Sequence, residues 1–172
     1  IISANNGNYS EQSTIKSGLE SLNTLNGIDL QSEEIAWITG SDVNFCAQAF
    51  PTVGYDHPDA PALTVLGAVL RNGFLHSAIR EKGGAYGSGA QQDSASRSFR
   101  FFSYRDPNCS ETFNAFNSSI EWAFHSINSQ KLEEGILGVI SSIDKPGSPA
   151  GEARADFNQN IKGINQSKRE RF

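Results

Sequence analysis

Residues 76–90 read His76-Ser77-Ala78-Ile79-Arg80-Glu81-Lys82-Gly83-Gly84-Ala85-Tyr86-Gly87-Ser88-Gly89-Ala90, and the way this stretch folds decides the rest. A long apolar segment enters it from the left, Gly83-Gly84 supply a helix stop, and a strand leaves to the right. Arg80 stands in the last helical turn and Tyr86 just past the bend. A cation and a phenol at a backbone bend can bind and polarise a carbonyl. No nucleophile, general base or metal-ligand set accompanies them, so the stretch reads as half of an active site.

To the left, Asp56-His57-Pro58-Asp59-Ala60-Pro61 reads as a helix start. Proline suits the first helical turn, and acidic groups suit the positive end of the helix dipole. The helix is expected from about Pro58 to Lys82, with Leu63, Leu66, Leu70, Phe74 and Ala78 on its core face. At about 3.6 residues per turn, Arg80 falls within roughly 40° of Leu66 and so points towards the protein. Upstream, Val43, Phe45, Ala47 and Ala49 alternate with Asn44, Cys46 and Gln48, as in a strand with one buried side. The first 42 residues read as a strand end at 1–4, a helix through Ile15, Leu19, Leu22 and Leu25 stopped by Asn26-Gly27, and a connector.

To the right, strands are expected over Ala85–Gln92 and Arg97–Arg105, joined by the polar turn Asp93-Ser94-Ala95-Ser96 into a hairpin. Phe99 and Phe101 alternate with Arg100, Phe102 and Tyr104; Arg105, at the strand end, is expected to be structural. Asn108-x-x-Glu111 can cap a helix whose stripe is Phe113, Phe116, Ile120, Phe124 and Ile127. Leu132, Ile136, Val139, Ile140 and Ile143 mark another, ended by Asp144-Lys145-Pro146. Ser148-Pro149 starts a last helix, stopped by Gly163. Strands followed by segregated helices imply an α+β fold: an antiparallel sheet with helices packed on one face.

The chain of 172 residues has the size of about one domain. Its net charge of −5 argues against nucleic acid, which calls for a basic face. No run approaches the roughly 18 apolar residues that cross a bilayer, so no membrane partner is expected. Two cysteines, Cys46 and Cys109, provide no disulfide or metal framework and read as reduced thiols. A cytoplasmic or organelle-matrix location is therefore expected, not a secreted one. The sequence contains no Met, opens abruptly on Ile1-Ile2, and ends just after Ser167-Lys168-Arg169-Glu170, which announces a further helix. A single domain cut from a longer chain is expected.

Of the chemistries considered, a metal site fails first. His57, His76 and His125 are the only histidines, and none forms the helical His pair with Glu of a zinc peptidase. His76 with Glu81 is a helix-surface pair. Gly87-Ser88-Gly89 lacks the serine-hydrolase elbow, and glycines following a helix do not make a phosphate loop. Arg80 and Tyr86 keep two readings. One is a favourable cation at a helix C-terminus beside an ordinary strand aromatic; the other is a donor pair for a substrate carbonyl or developing oxyanion. Periodicity does not separate them.

The run Arg80-Glu81-Lys82-Gly83-Gly84-Ala85-Tyr86-Gly87, preceded by Asn72-Gly73-Phe74-Leu75-His76, resembles the C-terminal lobe of the M16 (insulinase-like) zinc metallopeptidases, in its presequence-protease branch. The resemblance extends through Val43-Asn44-Phe45, His57-Pro58-Asp59-Ala60, Ser103-Tyr104-Arg105-Asp106-Pro107 and Ile140–Pro146. It covers residues 43–172 well and 1–42 loosely. It implies a clam-shaped enzyme that degrades unstructured peptides in a closed chamber. Zinc and its ligands would lie in an N-terminal half absent from this sequence, so this chain alone is expected to be inactive. Arg80 and Tyr86 would reach the substrate carbonyl near that zinc, and Gly83, Gly84, Ala85 and Gly87 would let the peptide backbone approach. The partners implied are peptide substrates and the zinc-bearing half. The alternative is a separate non-catalytic subunit, or a peptide-binding or scaffold module.

Overall fold

A computed structural model describes residues 33–143, 145, 147–161 and 164. The chain forms two compact units, Ile1–Ser41 and Asp42–Phe172; the strand and helix expected within residues 1–26 lie outside the described residues, as do Gly163 and Ser167–Glu170. The second unit runs β1 (Asn44–Pro51), α1 (Ala60–Leu70) with a π-helical continuation (Arg71–Lys82), β2 (Gly87–Asp93), β3 (Ser98–Asp106), α2 (Ser110–Ser126), α3 (Ser129–Ile143) and α4 (Pro149–Ile161). The sheet is antiparallel in the order β1-β3-β2, giving the expected α+β class. The β2–β3 hairpin turns where the polar run stood. Asp93 accepts the N–H groups of Ala95 (3.0 Å) and Ser96 (3.3 Å) and meets Arg100 at 3.0 Å. Burial pushes the Asp93 carboxyl up, but the bonds from Ser96 and Ala95 and the Arg100 charge together hold it below the ordinary carboxylate range.

The register assigns the two sheet faces. Cys46 pairs with Ser103, and Ala90 with Phe101; all four are buried with Phe99. Cys46, Ala90, Phe99 and Phe101 form one cluster with Ala85 of the bend and with Leu70, Leu75, Ile79 and Phe116 from the helical layer. In β1 the buried member is therefore Cys46, while Phe45 is 70% exposed. The other face carries Phe45, Tyr104 and Gly87 in one row and Ala47, Phe102 and Gly89 in the next. Burial pushes the Cys46 thiol up to about 11, so it is a packed thiol and not a thiolate; Cys109 is free and exposed.

Two helical expectations shift. The helix of Ala60–Lys82 exists, but its second half is π-helical, and the buried positions become Leu70, Leu75 and Ile79 in place of Phe74 and Ala78. Wider turns close i→i+5, so residues five and nine apart share a face. This helix is 23 residues long with a window of mean hydropathy 1.3. By length and composition alone it could cross a bilayer, a point the residue-by-residue reading missed; here its buried side packs on the sheet. In α2, Phe116 and Ser119 are fully buried while Phe124 is 79% exposed. The Ser119 hydroxyl donates to the Phe116 carbonyl at 2.6 Å, which lets a serine take a buried place on the stripe. In α3 only Gly135 and Val139 are buried.

Candidate active site

The bend at Gly83-Gly84 joins the helix to β2. Gly84 sits at φ +80°, the left-handed conformation that glycine adopts without penalty. Its N–H donates to the Arg80 carbonyl at 3.0 Å, and the Ala85 N–H reaches back to the Ile79 carbonyl at 3.1 Å. A Cβ on Gly83 would stand 2.5 Å from that same Ile79 oxygen. Both glycines are thus required by the chain's own turn. Gly84→Ala is expected to destabilise the fold by about 1–2 kcal/mol, the usual penalty of a left-handed L-residue. Gly83→Ala should cost more, because backbone must move; thermal unfolding of the two variants checks the order.

The loop after β3 clamps the bend from outside. Asn108 Nδ2 donates to the Gly83 carbonyl at 2.6 Å. Its own N–H donates to Asp106 Oδ1 at 2.9 Å, and Thr112 Oγ1 donates to Asp106 Oδ2 at 2.7 Å. Asp106 is fully buried, and each of its carboxylate oxygens has a donor, which is the condition for keeping such a group inside. Asn108 therefore does not cap α2. The N-cap is Cys109, without a side-chain cap bond, and the Asn108 side chain is directed to the Gly83 carbonyl instead.

Arg80 is exposed. The expectation that it points into the protein assumed α-helical winding, and the π-helical turn moves it off the buried face. Its Nη1 lies 3.4 Å from His76 Nε2, and His76 Nδ1 lies 3.6 Å from Glu81, so the surface pair joins a short chain ending on the guanidinium. Tyr86, 63% exposed, is held by three contacts. Its N–H donates to the Arg105 carbonyl at 3.2 Å, its ring lies 5.6 Å from the Tyr104 ring, and the Arg105 guanidinium lies 5.8 Å from its centroid. The phenol is accessible while its backbone is fixed. Among the four residues expected to line a peptide, Gly84 is exposed and Gly83 half-buried, but Ala85 and Gly87 are buried. A Cβ on Gly87 would run into the Tyr104 ring, so its missing side chain makes room for Tyr104.

In the sequence Tyr104 reads only as a member of the β3 alternation and Arg105 as a structural strand end; their contacts with the Tyr86 ring are not foreseen there. Alternation through Phe99, Phe101 and Ser103 assigns Arg105 to the buried face, and an arginine there was the readable sign of a bulge. Among the described residues no three His, Cys, Asp or Glu side chains come together in a way that could hold a metal ion. A cleft of about 1000 Å³, lined by Thr52, Tyr55, His57, Gln92, Asp93 and Arg97, lies at the opposite end of the strands and includes neither Arg80 nor Tyr86.

Residues 37–172 match the family described as PreP C-terminal domain. The chain is 39% identical to the mitochondrial presequence protease of Danio rerio over 133 residues, covering 76% of this chain and 13% of that protein. It is 43% identical to that of Drosophila melanogaster over 116 residues (66% and 11%), and 39% identical to that of Mus musculus over 116 residues (67% and 11%). The chain thus spans only 11–13% of the length of these relatives. With the α+β fold and the matched span together, the chain belongs to the presequence protease (PreP) C-terminal domain family.

Proposed function

We propose that this chain is the substrate-binding C-terminal part of a zinc-dependent endopeptidase that degrades unstructured peptides. In this reading Tyr86 donates its O–H to the scissile carbonyl oxygen as it gains negative charge, and Arg80 holds the same oxygen or the adjacent peptide backbone. The observation that carries it is the disposition of Tyr86: an aromatic residue fixed through its backbone, at the mouth of a clamped bend, with its ring left open. Zinc held in another part of the full-length protein would supply Lewis-acid chemistry; no ligand set is formed among the described residues of this chain. The relatives are named as mitochondrial proteins, which favours an organelle location over the cytoplasm. A separate non-catalytic subunit that lends the same two side chains to a zinc-bearing partner is the second reading.

Arg80→Lys tests the proposal. The lysine keeps the charge but loses the planar fork that can hold an oxygen and its neighbour together. In the full-length protein it should lower kcat/KM for an unstructured peptide about tenfold or more, roughly one lost charge-assisted hydrogen bond, with an unchanged melting temperature. Wild-type kinetics would leave Arg80 as a helix-end cation only.

A further inference from the structure

We propose that Arg105 is a positioning residue for the Tyr86 phenol, placed by a strained bulge at the end of β3. This rests on the reading of Tyr86 as a substrate-carbonyl donor. The register runs Phe45↔Tyr104 and then Asn44↔Asp106, so Arg105 has no residue opposite it. It occupies φ 50°, a conformation that bulges of this kind normally fill with glycine. A glycine would make the same bulge with less strain, yet the chain holds a long cation there. Strain kept at a residue for which a better local choice exists points to a use for its side chain.

The bulge has a specific geometric result. Without it, Arg105 would follow Ser103 onto the buried face. With it, Asp106 takes the buried place at 0% exposure, and Arg105 turns outward to the Tyr86 side. Its guanidinium stands 5.8 Å from the Tyr86 centroid, within the range of a cation–π contact. Its carbonyl simultaneously accepts the Tyr86 N–H. One residue therefore fixes both the backbone and the ring of Tyr86. The Tyr104 ring, 5.6 Å away and tilted by 54°, limits the ring from a further direction. Together they narrow the positions from which the hydroxyl can meet a carbonyl.

The experiment uses the full-length protein and separates ring positioning from backbone effects. Arg105→Gly removes the guanidinium while relieving the left-handed strain. Arg97→Gly, at φ 52° in the hairpin at the far end of β3, relieves similar strain away from the site and is the control. Arg105→Gly should lower kcat roughly twofold to fivefold, the worth of an exposed cation–π contact, with an unchanged or raised melting temperature. Arg105→Lys should recover part of that loss, and Arg97→Gly should leave kcat alone. In the Tyr86→Phe background Arg105→Gly should add nothing. Equal losses in both backgrounds, or a loss that tracks the melting temperature, would overturn the proposal. A fluorotyrosine at position 86 gives a readout independent of turnover: its fluorine resonance should move in Arg105→Gly and stay put in Arg97→Gly. A resonance unmoved in both variants refutes the positioning role. A resonance that moves only in Arg105→Gly, while Tyr86→Phe keeps full activity, confirms the positioning and refutes the carbonyl-donor reading instead.

Discussion

Tyr86→Phe in the full-length protein is expected to lower kcat for an unstructured peptide by about 10²–10³-fold, the loss that follows removal of one oxyanion donor. The substitution deletes a single hydroxyl. The ring stays, and with it the packing on Tyr104 at 5.6 Å and the Arg105 contact at 5.8 Å. The backbone bond to the Arg105 carbonyl does not involve the side chain at all. Because the residue is 63% exposed, its hydroxyl contributes little to the folded state's own energy, so the melting temperature should move very little. A large kinetic loss with no stability loss is the signature of a group that acts mainly on the transition state. If KM rises while kcat holds, the hydroxyl binds ground state and transition state alike, and the oxyanion role is lost. If neither changes, Tyr86 is a surface aromatic. Measuring kcat, KM and melting temperature on the same preparations distinguishes these outcomes.

The hairpin was legible because two independent signals coincide there: a period of two through Phe99 and Phe101, and a polar turn at Asp93–Ser96 whose aspartate satisfies its own backbone. The helix from Ala60 was legible from its composition and its Gly-Gly stop, but not its winding. Nothing in Arg71–Lys82 distinguishes i→i+4 from i→i+5 closure, since both bury apolar residues at nearly similar spacings, and only the sheet beneath decides which residues meet it. The direction of Arg80 depended on that winding and was misjudged with it. Asn108 shows a second kind of limit. Its spacing to Glu111 fits a helix cap, yet the same amide finds a stronger demand 25 residues away, at the orphan carbonyl of Gly83. A local rule was outcompeted by a tertiary partner. The pairing of Arg105 with Tyr86 is tertiary as well, and only a break in the β3 alternation hinted at it.

Leu75→Ala is expected to destabilise the domain by about 2–5 kcal/mol, the range for deleting a buried leucine side chain. An α-helix continued from Leu70 would place residue 75 about 140° around the axis, near solvent, where the same substitution would change stability by no more than about 0.5 kcal/mol. The π-helical turn brings Leu75 to 0% exposure in one cluster with Leu70, Ile79, Phe101 and Phe116. The size of this one effect therefore reports the winding of the helix that carries Arg80 to the site. Leu66→Ala is the matched comparison. Leu66 is half-buried and borders an apolar gap of about 360 Å³ between α1 and α3, so part of its contact surface is already missing and its loss should be smaller. Hydrogen exchange of the β3 amides in the full-length protein reads this local stability whatever the other domains contribute. Protection lost in Leu75→Ala and largely kept in Leu66→Ala supports the π-helical face; the reverse order would return the core to Leu66, Leu70 and Phe74 and turn Arg80 back towards the sheet.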